Sequence, residues 1–135
     1  ILNYFQQWDS FKQNFQQLFM EESGPVIIYG VGCRSIPLIR YANLISNVHY
    51  AVDDNTTKIG CTVPDSDLKI QPSSILSEVD PGLVLLGVNE ENEEKVLSKN
   101  KDIFSLHNAV YSLNPPSTRL PPFWLDMRHR NPIDK

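Results

Sequence analysis

Cysteine is scarce in this sequence of 135 residues, and its two cysteines, Cys33 and Cys61, lie far apart. Two cysteines cannot build the disulfide framework of a small secreted protein, and no Cys-x-x-Cys spacing indicates a structural zinc site. The length fits one domain, and an apolar fraction of 41% supplies a hydrophobic core. We therefore expect a domain without a bound metal in a reducing, cytoplasmic setting.

Long hydrophobic runs are missing as well. No stretch approaches the roughly 18 consecutive apolar residues that a membrane-spanning helix requires, so we expect no membrane partner. Residues 1–8 have neither a basic start nor a small-residue cleavage site, which argues against a signal peptide. The chain does not begin with Met, and we expect it to be a segment of a longer protein.

The sequence also lacks a surplus of basic side chains. Sixteen acidic against twelve basic side chains give a net charge of −4, and residues 128–130 form a short basic cluster. Proteins that bind nucleic acid normally present a basic face to the phosphates. The composition therefore predicts that the chain has no nucleic-acid partner.

What the sequence does contain begins with an amphipathic pattern. Large apolar residues recur at steps of three and four, which places them on one face of a helix: Tyr4, Trp8, Phe11, Phe15 and Leu18. Glutamines occupy much of the remaining surface. We expect this helix to pack on a sheet of its own domain, and to end at residues 23–25, where Gly24 and Pro25 cannot continue it.

The next segments alternate between strand and helix patterns. A short apolar run at residues 26–29 leads into Gly-x-Gly, a helix is predicted from Ser35 to about Ile45, and a second strand follows at residues 48–52. This is the length of a right-handed β-α-β unit with parallel strands. Further strands are predicted at residues 68–70, 83–88 and 103–106, with a charged helix at residues 90–99.

The predicted fold class is α/β: a small Rossmann-like, three-layer domain with a mostly parallel sheet of about four to five strands. We assign it to residues 1–113. Residues 114–135 contain several prolines and no apolar period, which predicts a Pro-rich C-terminal tail. Its apolar group, residues 123–125, would pin the tail to the domain or dock on another domain.

Residues 30–35 are the main candidate for a binding site. Glycines at positions 30 and 32 let the backbone turn sharply and approach a ligand. Ser35 can serve as the N-cap of the following helix, whose N-terminus offers free N–H groups and a positive dipole end to an anion. Asp53 and Asp54 end the second strand about twenty residues later, where such folds hold a ribose hydroxyl. A one-residue change of register would exchange the two carboxylates, so the sequence leaves open which one faces the crevice.

The sequence offers little support for catalysis. The three histidines, His49, His107 and His129, lack metal-site spacing, and there is no Gly-x-Ser-x-Gly motif. Cys33 lies at a helix start but has no general base nearby in the sequence. We expect no catalytic residue in this chain, and a structural role for His49 within a strand.

The segment from Tyr29 to about Val96 resembles the C-terminal domain of the sugar C-methyltransferases, which are S-adenosylmethionine-dependent enzymes that methylate carbon on nucleotide-linked deoxysugars. Residues 28–32 are similar to that family's Gly-Tyr-Gly-Ala turn, and residues 53–60, Asp-Asp-Asn-Thr-Thr-Lys-Ile-Gly, to its Asp-x-Asn-x-x-Lys-x-Gly stretch. Residues 64–70 and 83–89, ahead of an acidic helix, follow in the same order.

The resemblance implies an accessory domain that helps to bind a nucleotide-linked sugar or another small anionic ligand and is not catalytic alone. No cofactor is expected in this domain, and S-adenosylmethionine would bind only to an adjoining methyl-donor domain, a possible partner. The residues expected at the ligand are Gly30, Gly32, Cys33, Ser35, Asp53, Asp54, Lys58 and Asn89. The alternative hypothesis is a Rossmann-like protein-interaction module that has lost its ligand, favoured by the incomplete glycine motif and by Phe123 and Trp124 in the tail.

Overall fold

A computed structural model describes residues 2–22, 24–32, 35–104, 109–113 and 119–125. Its longer helices are α1 (Leu2–Glu21), α2 (Ser35–Tyr41) and α4 (Glu90–Lys99), and short ones are α3 (Leu76–Val79) and α5 (Lys101–Phe104). The strands are β1 (Val26–Tyr29), β2 (Tyr50–Val52), β3 (Ile70–Gln71), β4 (Leu83–Leu86) and β5 (Ala109–Ser112). Two 3-10 turns lie at Ile45–Asn47 and Ser73–Ile75.

The five strands form one sheet in the order β3-β2-β1-β4-β5, and every neighbouring pair is parallel. The central strand β1 places Ile28 opposite Ala51 of β2 on one side and Leu85 of β4 on the other. β1 and β4 are buried along their full length, as expected for parallel strands that are covered on both faces. The prediction of an α/β, Rossmann-like fold with four to five strands is confirmed.

Side chains that alternate along the strands serve two separate cores. On the first face of the sheet, Ile28 and Leu85 pack in one cluster with Phe15 of α1 and Ile39 of α2. On the second face, Tyr29 belongs to a cluster that α3, α4 and α5 cover with Leu76, Val96 and Phe104. The prediction that the aromatic stripe of α1 packs on its own sheet holds for its described side chains, Phe11, Phe15 and Leu18, which are all buried.

Helix α2 is shorter than the sequence pattern predicted. It ends at Tyr41 rather than near Ile45, because Asn43 adopts a left-handed conformation with φ of 58°. The N–H of Leu44 then donates to the carbonyl of Ile39 at 3.0 Å, which closes the helix end. The apolar residues that follow Tyr41 therefore pack against the core from a turn and not from a helix.

The strand predicted at residues 103–106 is wrong where the structure describes it. Ile103 and Phe104 end α5, and both of their N–H groups donate to the carbonyl of Asn100. Their apolar side chains continue the buried side of α4 on the second face of the sheet. Residues 105 and 106 lie outside the described residues, and the last strand that the structure describes is Ala109–Ser112.

Residues 119–125, which we call the strap, pack on the domain instead of leaving it. Phe123 and Trp124 contact Phe11 with ring centroids 5.5 and 4.9 Å apart, and the N–H of Ser112 donates to the carbonyl of Arg119 at 2.8 Å. Leu120 is almost fully buried. Of the two roles considered for residues 123–125, pinning to the domain is the one observed. The division of the chain at residue 113 stays a prediction.

No helix in the described part of the chain combines the length and the apolar character needed to cross a membrane.

Replacing Trp124 by Ala should lower the free energy of unfolding by about 1–3 kcal/mol. The substitution removes the edge-to-face contact with Phe11 and leaves a cavity beside that ring. Urea unfolding measures the change. Met20→Ala is the matched control, since Met20 is 84% exposed and should change stability by less than about 0.5 kcal/mol. Equal effects of the two substitutions would contradict the docking of the strap.

Candidate functional site

A cleft of about 390 Å³ opens at the carboxyl edge of the sheet, where β1, β2 and β4 end side by side. Open α/β sheets bind ligands at this edge. Its lining comes from the three loops that leave these strands and from the first turn of α4: Gly30, Val31, Gly32, Asp53, Asn55, Lys58, Gly87, Val88, Asn89 and Asn92.

Two glycines let the loops after β1 and β4 cross in close contact. Gly30 has a φ of +100°, and a Cβ on it would lie 2.8 Å from the backbone nitrogen of Val88. A Cβ on Gly87 would collide with the carbonyl oxygen of Gly30 and lie 2.6 Å from the Cβ of Ser35. Both positions therefore require glycine for backbone packing, whatever ligand the cleft holds.

Gly32 is different, because its missing side chain leaves open space. A Cβ there would meet only the Nζ of Lys58, at 4.0 Å, and its backbone has no positive φ. Glycine at this position is therefore not required by the packing of the described residues. Its effect is to leave the backbone of the loop accessible from the cleft.

Ser35 lies behind the loop rather than along the cleft. Its fully buried hydroxyl donates to the carbonyl of Gly30 at 2.8 Å and accepts from the N–H of Gly32 at 3.3 Å. This side chain therefore holds the curvature of the loop from beneath. Cys33, which the sequence analysis also placed at the ligand, lies outside the described residues.

Asp53 is the carboxylate that faces the cleft. One of its oxygens accepts from the N–H of Val31 at 3.0 Å, and the other from the N–H of Asn55 at 2.9 Å. The bond from Val31 ties the loop after β1 to the loop after β2, and the bond from Asn55 holds the carboxylate within its own loop. A carboxylate has about four acceptor positions, so Asp53 retains capacity for ligand hydroxyl groups.

Lys58 reaches back from the loop after β2 to the glycine loop. Its Nζ donates to the carbonyl of Val31 at 2.7 Å and lies 3.7 Å from the nearer oxygen of Asp53. An ammonium group has three N–H donors, and the carbonyl of Val31 takes one of them. A positive charge is thus fixed at the opening beside Gly32.

Asp54 turns to the second face of the sheet. Its carboxylate accepts from the hydroxyl of Tyr29 at 2.5 Å, from the N–H of Ser73 at 3.0 Å and from the Nζ of Lys99 at 3.0 Å. Asn100 donates to the same Tyr29 hydroxyl at 3.3 Å. Asp54 therefore belongs to a structural network, and it does not line the cleft.

The network shifts the ionisation of both acids. Burial, followed by the hydrogen bond to Asp54, raises the pKa of Tyr29 to about 12. For Asp54 burial acts to raise the pKa, but the hydrogen bonds from Tyr29, Ser73 and Lys99 outweigh it and lower the pKa to about 2. The pair therefore holds a neutral tyrosine against an ionised aspartate over the usual pH range.

The loop after β4 adds residues that the sequence analysis did not select. Asn89 was predicted, while Val88 and Asn92 were missed, as was Asn55 in the loop after β2. Asn92 could have been found from the sequence, since it lies three residues after Asn89 at the start of a helix that follows a buried strand. That position points to the same edge of the sheet as the glycine loop.

His49 lies at the opposite edge, before β2. Its Nδ1 accepts from the N–H of Val26 at 2.9 Å, which supports the structural role expected for it. His107 and His129 lie outside the described residues.

Stability should fall at high pH because of Tyr29. Its pKa is about 12 in the folded state against an ordinary value of 10.0, so the unfolded chain loses its proton first. The resulting stabilisation, on the order of 2–3 kcal/mol, is present below pH 10 and is lost as the pH rises towards 12. Urea unfolding of the wild type and of Tyr29→Phe from pH 8 to 12 isolates this loss. Parallel curves for the two proteins would contradict the assignment.

Gly87→Ala should lower the free energy of unfolding by at least about 2 kcal/mol, because the new Cβ collides with the Gly30 carbonyl and with Ser35. Gly32→Ala adds the same methyl group in open space and should change stability by less than about 1 kcal/mol. Thermal and urea unfolding of both variants make the comparison. Similar losses in both would show that the crossing is not the source of the constraint.

Solved structures of a Rex-family repressor share this fold. The structure of RSP, a Rex-family repressor, is 12% identical, with a TM-score of 0.57 over 93% of this chain and 68% of that chain. RSP in complex with beta-NAD+ and operator DNA has the same identity and a TM-score of 0.56 over 83% of this chain and 58% of that chain. At this identity the likeness concerns the fold alone, and the chain spans a little over half of the latter structure.

The prediction that nucleic acid is excluded as a partner is corrected by this neighbour. A protein with the same fold is seen in complex with operator DNA, so an acidic Rossmann-like domain gives no ground for the exclusion. The physical reason is that net charge sums over a whole chain, whereas phosphates are bound by a local basic surface or by another part of a longer protein.

Sequence comparison assigns the chain to a family. No curated protein matches it significantly as a whole sequence. The sequence profile of the C-methyltransferase C-terminal domain, however, matches residues 2–109, which include the strands β1 to β4, the first residue of β5 and every residue that lines the cleft. The resemblance found in the glycine loop and in residues 53–60 is thereby confirmed, and the chain belongs to the C-methyltransferase C-terminal domain family.

Proposed function

We propose that the chain is a ligand-binding accessory domain of a C-methyltransferase, which holds the nucleotide part of a nucleotide-linked sugar in the cleft. Methyl transfer from S-adenosylmethionine is assigned to an adjoining domain, and this domain supplies no catalytic group. The observation that carries the proposal is the Nζ of Lys58, fixed by the Val31 carbonyl at 2.7 Å beside the open backbone at Gly32.

The phosphates of the ligand are assigned to this corner of the cleft. Two N–H donors of the Lys58 ammonium group remain after its bond to Val31, and they suit phosphate oxygens. Gly32 leaves space for the phosphates to approach the backbone. The nearby carboxylate of Asp53, only 3.7 Å from the same Nζ, keeps the lysine oriented when the cleft is empty.

The remaining polar groups are assigned to hydroxyl groups and ring atoms. Asp53 accepts hydrogen bonds from ligand hydroxyls, whereas the amides of Asn55, Asn89 and Asn92 both donate and accept. A volume of about 390 Å³ lies within the range of small-molecule sites, roughly 300–1,000 Å³. Ser35 and Asp54, expected at the ligand from the sequence, act in this proposal through the loop and the sheet instead.

The alternative of a protein-interaction module has lost one of its supports. It drew on Phe123 and Trp124 as exposed aromatic residues of a tail, but both rings pack on Phe11. The incomplete glycine motif is also explained without loss of a ligand, because Ser35 at the third glycine position bonds to the loop itself. Ligand binding is therefore the function we favour.

Thermal-shift titration tests the proposal with thymidine diphosphate, thymidine, other nucleoside diphosphates, NAD and S-adenosylmethionine. Nucleoside diphosphate at about 100 times its dissociation constant should add roughly 2.7 kcal/mol of stability and raise the melting temperature by several degrees. S-adenosylmethionine should give no shift. A panel in which no nucleotide shifts the melting temperature would overturn the proposal.

Two variants locate the site. Gly32→Val should fold normally and lose binding, because its side chain fills the opening at the loop. Lys58→Gln should weaken binding of thymidine diphosphate at least about tenfold while leaving thymidine unaffected, because the charged hydrogen bonds go to phosphate. Lys69→Gln, at an exposed lysine outside the cleft, is the control. Retained binding in both Gly32→Val and Lys58→Gln would remove the loop from the site.

A further inference from the structure

A buried carboxylate lies directly behind the wall of the cleft. Glu93 is on α4 and is only 1% exposed, although its neighbours Glu91 and Glu94 are exposed. Its N–H donates to the carbonyl of Asn89 at 3.1 Å, and it follows Asn92 in the chain. Asn89 and Asn92 both line the cleft, so Glu93 belongs to the helical turn that forms this wall.

Groups from β5 and from the strap hold this carboxylate. The hydroxyl of Ser112 donates to one oxygen of Glu93, and Nη1 of Arg119 lies 4.0 Å from the other. Arg119 also pairs with Glu94 through Nη2 at 2.8 Å, and its carbonyl accepts from the N–H of Ser112 at 2.8 Å. One residue of the strap thus joins two consecutive glutamates of α4 to the end of β5.

This arrangement makes the position of α4 depend on the strap. A carboxylate buried without compensating charge is strongly unfavourable, so it stays in place only while its partners do. Loss of the Arg119 side chain removes its contacts with both Glu93 and Glu94, and these contacts hold the first turns of α4 to the strap. A movement of these turns displaces Asn92, which is on the first turn, and Asn89, which directly precedes it.

We propose that Arg119 is a positioning residue that fixes the first turns of α4 and thereby couples the strap to the cleft. Arg119 does not line the cleft, and its influence passes through Glu93 and Glu94. The effect on binding rests on the proposed function, whereas the effect on α4 does not.

Amide hydrogen exchange of Arg119→Gln measures the coupling without a ligand. The amides of Asn92 and Glu93, both bonded to the Asn89 carbonyl, should exchange about tenfold faster than in the wild type. The amide of Asn100, at the far end of α4, and those of β1 should stay within about twofold, which separates local opening from global unfolding. Arg119→Lys, which keeps the positive charge, should show a smaller increase.

A second substitution distinguishes coupling through charge from simple loss of packing. Adding Glu93→Gln to Arg119→Gln removes the buried charge that Arg119 faces, and exchange at Asn92 and Glu93 should return to within about threefold of the wild type. Arg40→Gln is the matched control, because Arg40 forms an exposed ion pair with Asp65 away from α4 and should leave these amides unchanged. Unchanged exchange in Arg119→Gln, or an equal increase along the whole chain, overturns the proposal.

Binding of thymidine diphosphate provides the second readout. Arg119→Gln should weaken it several-fold, and the double variant should recover it. A variant that opens the first turns of α4 but binds like the wild type overturns the coupling to the cleft. If the wild type itself binds no nucleotide, the proposed function fails, and the exchange data alone decide whether Arg119 fixes α4.

Discussion

The close crossing of the loops after β1 and β4 is the constraint on which the other features of the site depend. The N–H of Gly87 donates to the carbonyl of Tyr29 at 2.7 Å, and its missing side chain admits the carbonyl of Gly30. Ser35 then bonds to that same carbonyl from below. This contact fixes where α2 and α4 begin, and the cleft is the space that remains above it.

The sequence predicted much of the fold because parallel strands buried on both faces leave a clear apolar pattern. Residues 26–29 and 83–86 were recognised for this reason. The last strand was misplaced because Ile103 and Phe104 are equally apolar but follow Asn100, whose carbonyl accepts two N–H groups and starts a new turn. Apolar runs of two to four residues do not distinguish a strand from a helix end.

The structure brings most of the predicted site residues together, and their role at a ligand stays a prediction. The structure brings Gly30, Gly32, Asp53, Lys58 and Asn89 to one cleft, while Asp54 and Ser35 are used by the framework. Sequence could not separate Asp53 from Asp54, because consecutive residues at a strand end point to opposite faces and the register depends on pairing with β1. Asn92 was missed although its position, at the start of the helix that follows the buried strand β4, places it at the same edge of the sheet.

The docking of the strap has a consequence for how the domain can be divided. The family match ends at residue 109, the first residue of β5, yet residues beyond it complete β5 beside β4 and cover Phe11 and Phe15 on α1. A fragment trimmed to the matched region would present an aromatic patch and an unpaired strand edge to solvent, which is the combination that promotes self-association. The unit of folding therefore extends past the unit of sequence similarity.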